Sequence, residues 1–295
     1  MSEIFDCSDA DQRSEGLTAA RTAIENGECI VLPTDTVYGI GADAFSPVAV
    51  QTLLSAKGRG REMPPPVLIP GRDTVPGLAM DVPSYAGRLM DAFWPGGLTL
   101  IFRSQPSLAW DLGDTNGTVG LRVPDDEIAR ELLSLTGPLA VSSANKTGRP
   151  AATTITEAGF ALGGFVEVFL DGGTRSDTQP STILDCTKAD PVVLREGAVS
   201  LDALREVLGP VELITGLGVS VDPGDPEPMG ETFAVAPGDE EPHPDQTPPH
   251  LPDDETVFDS AADAPPAPES IGEHWDVENT SATDEAATDR PEVNP

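Results

Sequence analysis

No histidine precedes His243 in this 295-residue chain; the three present, His243, His250 and His274, all lie near its end. A Ser-His-Asp or Cys-His hydrolase needs an imidazole beside its nucleophile, and a His-containing zinc site needs the same side chain, so neither belongs to the front of the chain. Cysteine is equally sparse. Cys7, Cys29 and Cys186 are far apart and show no C-x-x-C spacing. They read as reduced thiols, with Cys29 and Cys186 facing a core. The phosphate-binding motifs G-x-x-x-x-G-K-[ST] and G-x-G-x-x-G are missing, as is the nucleophile elbow G-x-S-x-G. A nucleotide would therefore be held by side chains from several strand ends. No apolar run approaches the roughly 18 residues of a membrane span, and the start, Met1-Ser-Glu-Ile-Phe-Asp, is acidic where a secretory signal is basic. The expected location is the cytoplasm, with no membrane partner.

Cations are missing from the C-terminal part. Residues 218–295 hold 21 acids and one base, Arg290, a net charge of −20; the remaining 29 acids and 16 bases leave −13 on residues 1–217. The tail is rich in Pro, Asp, Glu, Ala and Thr, and its large apolar residues (Phe233, Leu251, Phe258, Trp275) are scattered. Such a segment cannot bury enough apolar surface to offset the entropy of ordering it, so a disordered tail is expected from about Gly218. It would serve as a solubilising tail or as a docking arm for a basic partner. The negative balance also argues against a broad nucleic-acid footprint, which needs clustered Lys and Arg, and leaves direct RNA binding weak.

Residues 1–217 alternate helix-like and strand-like segments. Leu17, Ala20 and Ile24 share a helical face within 13–26, closed by Gly27. Ser46-Pro47 pairs an N-cap with a proline at the first helical position of a helix running to Ala56. Further helices are predicted at 84–93, 126–136, 155–162 and 201–208. Strands are predicted at 29–32, 67–69, 98–102, 118–123, 138–141, 166–170, 181–185 and 192–195. Several strands follow one another with no helix between them, which favours a mixed α/β sheet over a doubly wound parallel one.

Three loop segments concentrate chemistry. Lys57-Gly-Arg-Gly-Arg61 puts three cations in five residues without an acid, suiting either a polyphosphate or a solvated turn. Pro33-Thr-Asp-Thr-Val-Tyr-Gly-Ile-Gly41 offers hydroxyls and a carboxylate at the end of a buried strand, or a simple polar connection. Val141-Ser-Ser-Ala-Asn-Lys-Thr-Gly148 follows another apolar strand with small polar donors. Arg122, inside an apolar strand, must be paired or line a cavity, and Asp126 or Glu127 stand near enough in sequence to neutralise it. Trp94 and Phe93 flank a Pro-Gly turn and read as packing residues.

These blocks, with Trp94-Pro-Gly-Gly-Leu-Thr99, Val119-Gly-Leu-Arg-Val-Pro124, Pro180-Ser-Thr-Ile183 and Leu194-Arg-Glu-Gly197, stand in the order seen in YrdC-type proteins. Over about residues 10–210 the chain resembles the L-threonylcarbamoyladenylate synthases. The resemblance implies a twisted mixed parallel/antiparallel sheet with flanking helices and a positively charged concave substrate face. It also implies a nucleotidyltransferase that joins L-threonine, bicarbonate and ATP into threonylcarbamoyladenylate and pyrophosphate. The product passes to threonylcarbamoyl-transferase proteins acting on tRNA adenosine 37. Carried over position by position, Thr36 and Ser181 would contact threonine and Arg122 would hold its carboxylate. Lys57 and Arg59 would meet the ATP phosphates as the catalytic cations, while Thr118, Ser143, Asn145 and Arg195 would line the nucleotide site. Mg²⁺ is expected with the ATP, without named protein ligands. Gly60 stands where the family commonly has Pro, and Leu68 where many members have His, which removes one threonine-side contact from the expectation. The rival readings are an RNA-binding or ribosome-maturation module of the same fold, and a carbamoyl-adenylating relative acting with carbamoyl phosphate.

Overall fold

The structure, a computed structural model, describes residues 2–176 and 179–215; the acidic tail expected from Gly218 lies outside the described residues. Helix α1 (Ala10–Glu25) opens a turn earlier than its apolar spacing predicts, because Asp9 accepts from the N–H groups of Asp11 and Gln12 and caps it. Helix α2 (Pro47–Lys57) is capped by Ser46 and ended by Gly58, whose φ of 65° is the left-handed conformation glycine takes freely. After the one-turn α3 (Val75–Leu78), helices α4 (Ser84–Phe93), α5 (Glu127–Thr136), α6 (Ile155–Leu162) and α7 (Leu201–Leu208) follow the predicted segments to within a residue.

The strands are β1 (Glu3–Asp6), β2 (Cys29–Leu32), β3 (Gly39–Asp43), β4 (Val67–Leu68), β5 (Ala79–Met80) and β6 (Leu98–Ser104). They continue with β7 (Thr118–Arg122), β8 (Leu139–Ser143), β9 (Val166–Asp171), β10 (Thr182–Asp185) and β11 (Val192–Arg195). They join in the order β1-β9-β2-β3-β8-β4-β7-β6-β10-β11, with β5 alongside β6. The sheet is mixed as expected: β1/β9, β9/β2, β4/β7 and β6/β10 run parallel, while β2/β3, β3/β8, β8/β4, β7/β6 and β10/β11 run antiparallel. Three strands escape the sequence pattern, among them the two-residue β5 beside β6. β1 is a short, mostly exposed edge strand. β3 is hidden by Gly39 and Gly41, where a Cβ would press into Val141 and Leu32 of the flanking strands.

Side-chain alternation assigns the two faces. Leu98, Leu100 and Phe102 of β6, Leu121 of β7 and Leu184 of β10 pack in one cluster with Leu89 of α4, Leu204 of α7 and Leu54 of α2. On the same side, α2 and α6 cover Val31 and Ile40. The opposite face is covered by α1 and α5 over Ile30 and Leu32 of β2 and Leu170 of β9. Farther along it, the cleft-lining side chains Val141, Leu68, Arg122, Thr99, Ile101 and Ile183 alternate with those core residues. That stretch, from β8 to β10, is the floor of a cleft of about 1450 Å³. Among the described residues no helix is long and apolar enough to cross a membrane.

Candidate active site

The cleft is polar at two ends. At one, Arg122 is only 7% exposed at the end of β7. Its guanidinium donates to Gly96 O (3.0 Å), to Asp35 Oδ1 (2.6 Å) and to Thr36 Oγ1 through both terminal nitrogens (3.2 and 3.3 Å). Burial pulls its pKa down, while the Asp35 carboxylate acts in the opposite direction. Pairing with Asp126 or Glu127 does not occur. Asp126 caps α5 and pairs with Arg175, and Glu127 pairs with Arg13. The helix that carries both acids takes them away from the strand end, whereas the 33–38 loop crosses directly over it. Beside Thr36, the Thr99 and Ser181 hydroxyls share a hydrogen bond of 2.9 Å, and Arg195 donates to Ser181 O and Oγ (2.9 and 3.2 Å).

The 33–38 loop is secured from behind. Thr34 Oγ1 donates to Val37 O (2.6 Å) and contacts Thr36 Oγ1. Tyr38 donates to Asp171 Oδ1 and Gly173 O and accepts from the Gly172 N–H, while Arg175 reaches Gly172 O, Thr34 O and Asp126. Burial, followed by the hydrogen bond to Asp171, drives the Tyr38 hydroxyl pKa well up, so it stays a neutral donor.

At the other end, the last residue of α2 meets the end of β8. Lys57, 1% exposed, donates to Ser143 O (2.5 Å), Ser143 Oγ (3.3 Å), Asn145 O (2.8 Å) and Asn145 Oδ1 (3.2 Å). Burying an ammonium is costly unless its protons are taken up, and here four acceptors surround them. Arg59 reaches Ser142 Oγ (3.1 Å) and Thr147 Oγ1 (3.2 Å), and Arg149 adds an exposed cation to the rim. Arg59, Ser143, Asn145, Arg122, Thr36, Ser181 and Arg195 all line this one cleft; Lys57 lies directly beneath it. Thr118 starts β7 at the end away from Arg122, is not among the lining residues, and donates to Thr115 O (2.8 Å). Leu68 lines the floor and is buried in the core, and Gly60 follows Arg59 in its loop. Trp94 is a packing residue as predicted: it is buried and donates to Leu98 O. Among the described residues no group of three or more His, Cys, Asp and Glu could hold a metal ion.

Asp35 and Ser142 belong to the polar groups that their sequence blocks offer, without an individual role; Thr99, Thr147 and Arg149 carry no expectation of their own, although the first two stand inside those blocks. Arg175, which braces the threonine-containing loop, sits in a stretch with no motif signal at all.

The stretch of sheet face left open from β8 to β10, floored by apolar side chains and ringed by arginines and hydroxyls from separate strand ends, gives a mixed α/β protein with a cationic cleft built without a glycine-rich loop. The profile of the Sua5/YciO/YrdC family, described under telomere recombination, matches residues 22–197, and the chain belongs to that family. A Mycobacterium leprae protein provisionally named a threonylcarbamoyl-AMP synthase is 52% identical over 211 residues, covering 72% of this chain and 96% of the relative. The threonylcarbamoyl-AMP synthase of Pyrococcus abyssi is 34% identical, over 68% of this chain and 59% of its own length. Among solved structures, P. abyssi Sua5 complexed with L-threonine superposes with a TM-score of 0.66 at 31% identity. The match covers 72% of this chain and 62% of that one, so this chain spans under two thirds of the archaeal protein.

Proposed function

We propose that the protein is an L-threonylcarbamoyladenylate synthase, converting L-threonine, bicarbonate and ATP into threonylcarbamoyl-AMP and pyrophosphate for threonylcarbamoylation of tRNA adenosine 37. The observation that carries this reading is the meeting of Arg122, Thr36 and Ser181 at one end of a cleft with Arg59, Ser143 and Asn145 at the other. One set suits an amino acid, the other a polyphosphate, and the space between them admits both. In the reaction, the threonine amine and bicarbonate form a carbamate with loss of water. A carbamate oxygen then bonds to the α-phosphorus while the bond to the bridging oxygen of pyrophosphate breaks. This asks for alignment of two reactants and for cations facing the charge that builds on the leaving group. No histidine base is required.

In this scheme Arg122 holds the threonine carboxylate, Thr36 and Ser181 fix its remaining polar atoms, Arg59 faces the phosphates, and Arg195, which donates to Ser181, lines the nucleotide where it meets the amino acid. Lys57 places its charge under Ser143 and Asn145, which line the nucleotide end. The setting would be the cytoplasm, and the product would pass to a transferase that acts on tRNA. The test is pyrophosphate release by the purified protein with each substrate omitted in turn. Release only when L-threonine, bicarbonate and ATP are all present supports the reading. RNA binding with steep salt dependence and no ATP turnover would replace it with the RNA-binding alternative.

A further inference from the structure

Arg59 sits between two glycines, Gly58 at φ 65° and Gly60; its N–H donates to Leu54 O (2.9 Å) at the end of α2, and the chain leaves the helix beyond it. The loop that carries it contributes Glu62, Met63, Pro64 and Pro66 to the cleft wall. On the inner side, the Thr147 N–H donates to Lys57 O (2.9 Å) and the Thr147 hydroxyl accepts from Arg59. On the outer side lies the segment that joins β6 to β7. Its Asp111 takes Arg61 in a two-pronged pair, Nη1 to Oδ2 at 3.0 Å and Nη2 to Oδ1 at 2.7 Å. Asp114 stands 3.4 Å from Arg61 Nε, and the Asp114 N–H donates to Arg61 O at 2.7 Å. Gly113, at φ 108°, lets the two backbones meet: a Cβ there would lie 2.6 Å from Arg61 O.

The joining segment is itself anchored. Leu112 is buried, and Trp110 stacks on Phe45 just before α2, with ring centroids 5.5 Å apart and planes at 21°. We propose that this segment is a latch for the Arg59-bearing loop, and that Arg61 is a positioning residue held by Asp111 and Asp114 rather than a phosphate ligand. The inference rests on the synthase reading only for its kinetic consequence. Exposed ion pairs add little to global stability, yet a latch of this kind restricts a glycine-flanked loop, so its loss should appear in the ATP step and in local mobility.

The experiment uses the full chain carrying Arg61→Ala, Asp111→Ala, and the exchanged pair Arg61→Asp with Asp111→Arg. For Arg61→Ala the KM for ATP should rise about fivefold, with kcat and the KM for L-threonine within about twofold and Tm within about 2 °C of the parent. Amide exchange over residues 58–66 should quicken in both single variants and return toward the parent in the exchanged pair. An unchanged ATP KM together with unchanged exchange would overturn the latch, as would a uniform loss of Tm with kcat. If the parent protein itself released no pyrophosphate, the synthase reading would fall, while the exchange comparison alone would still decide the latch.

Discussion

Arg122 offers the sharpest quantitative test. Replacing it with alanine removes the donors to Gly96 O, Thr36 Oγ1 and Asp35 Oδ1 and leaves Asp35, whose side chain is 16% exposed, without its counter-charge. Breaking a buried pair by deleting one partner costs about 3–5 kcal/mol. Asp35 retains the Asp125 N–H at 3.0 Å and some solvent, which places the cost near the lower limit, about 3 kcal/mol. Loss of a charge-assisted contact to the threonine carboxylate adds a fall in kcat/KM for L-threonine of about ten- to a hundredfold. Removing Asp35 as well relieves the stranded carboxylate, so Arg122→Ala with Asp35→Ala should regain about half the lost stability and none of the activity. Urea denaturation and pyrophosphate release read the two quantities separately. An Arg122→Ala protein of parental stability, or one that keeps kcat/KM for L-threonine within about twofold, would refute the reasoning.

Three further outcomes follow from the same geometry. Lys57→Met leaves the Ser143 and Asn145 acceptors without their buried donor and should lower stability by about 2–3 kcal/mol and kcat/KM for ATP by at least about tenfold, read by denaturation and turnover. Burial pushes the Cys7 thiol up to about 11 and those of Cys29 and Cys186 up to about 12. The folded state thus binds these protons more tightly than the unfolded chain, and the associated stability is intact below the ordinary thiol pKa and declines as pH rises through the folded values. At pH 8 iodoacetamide should label none of the three until denaturant is added, as mass spectrometry would report. Deleting residues 218–295 should leave turnover nearly unchanged, and a collapse in kcat would give the tail an active part.

Much of this organisation could be read from residues alone, for identifiable reasons. Helices α4, α6 and α7 carry apolar stripes with clean starts and stops, and their predicted bounds coincide with the observed ones. The Lys57–Arg61 loop stood out because its charge is unmixed, and it does border the cleft through Arg59. What sequence could not supply was partnership across the sheet. Asp35 and Arg122 are brought together only when the loop after β2 crosses the end of β7, so the nearer acids Asp126 and Glu127 were the natural guess and the wrong one. Strand β3 was obscured because its two glycines, selected by close approach to Val141 and Leu32, erase the alternation that announces a strand. Lys57 shows the same limit: its motif marks it as a cation near phosphate, yet nothing in the motif says that the ammonium is buried beneath the loop it organises.

The most direct measurement supplies carbon-labelled bicarbonate with ATP and L-threonine and examines the nucleotide product by mass spectrometry. A threonine-bearing adenylate that carries the labelled carbon is the predicted result. An adenylate without that carbon, or ATP left intact beside a correctly folded protein, would contradict the account.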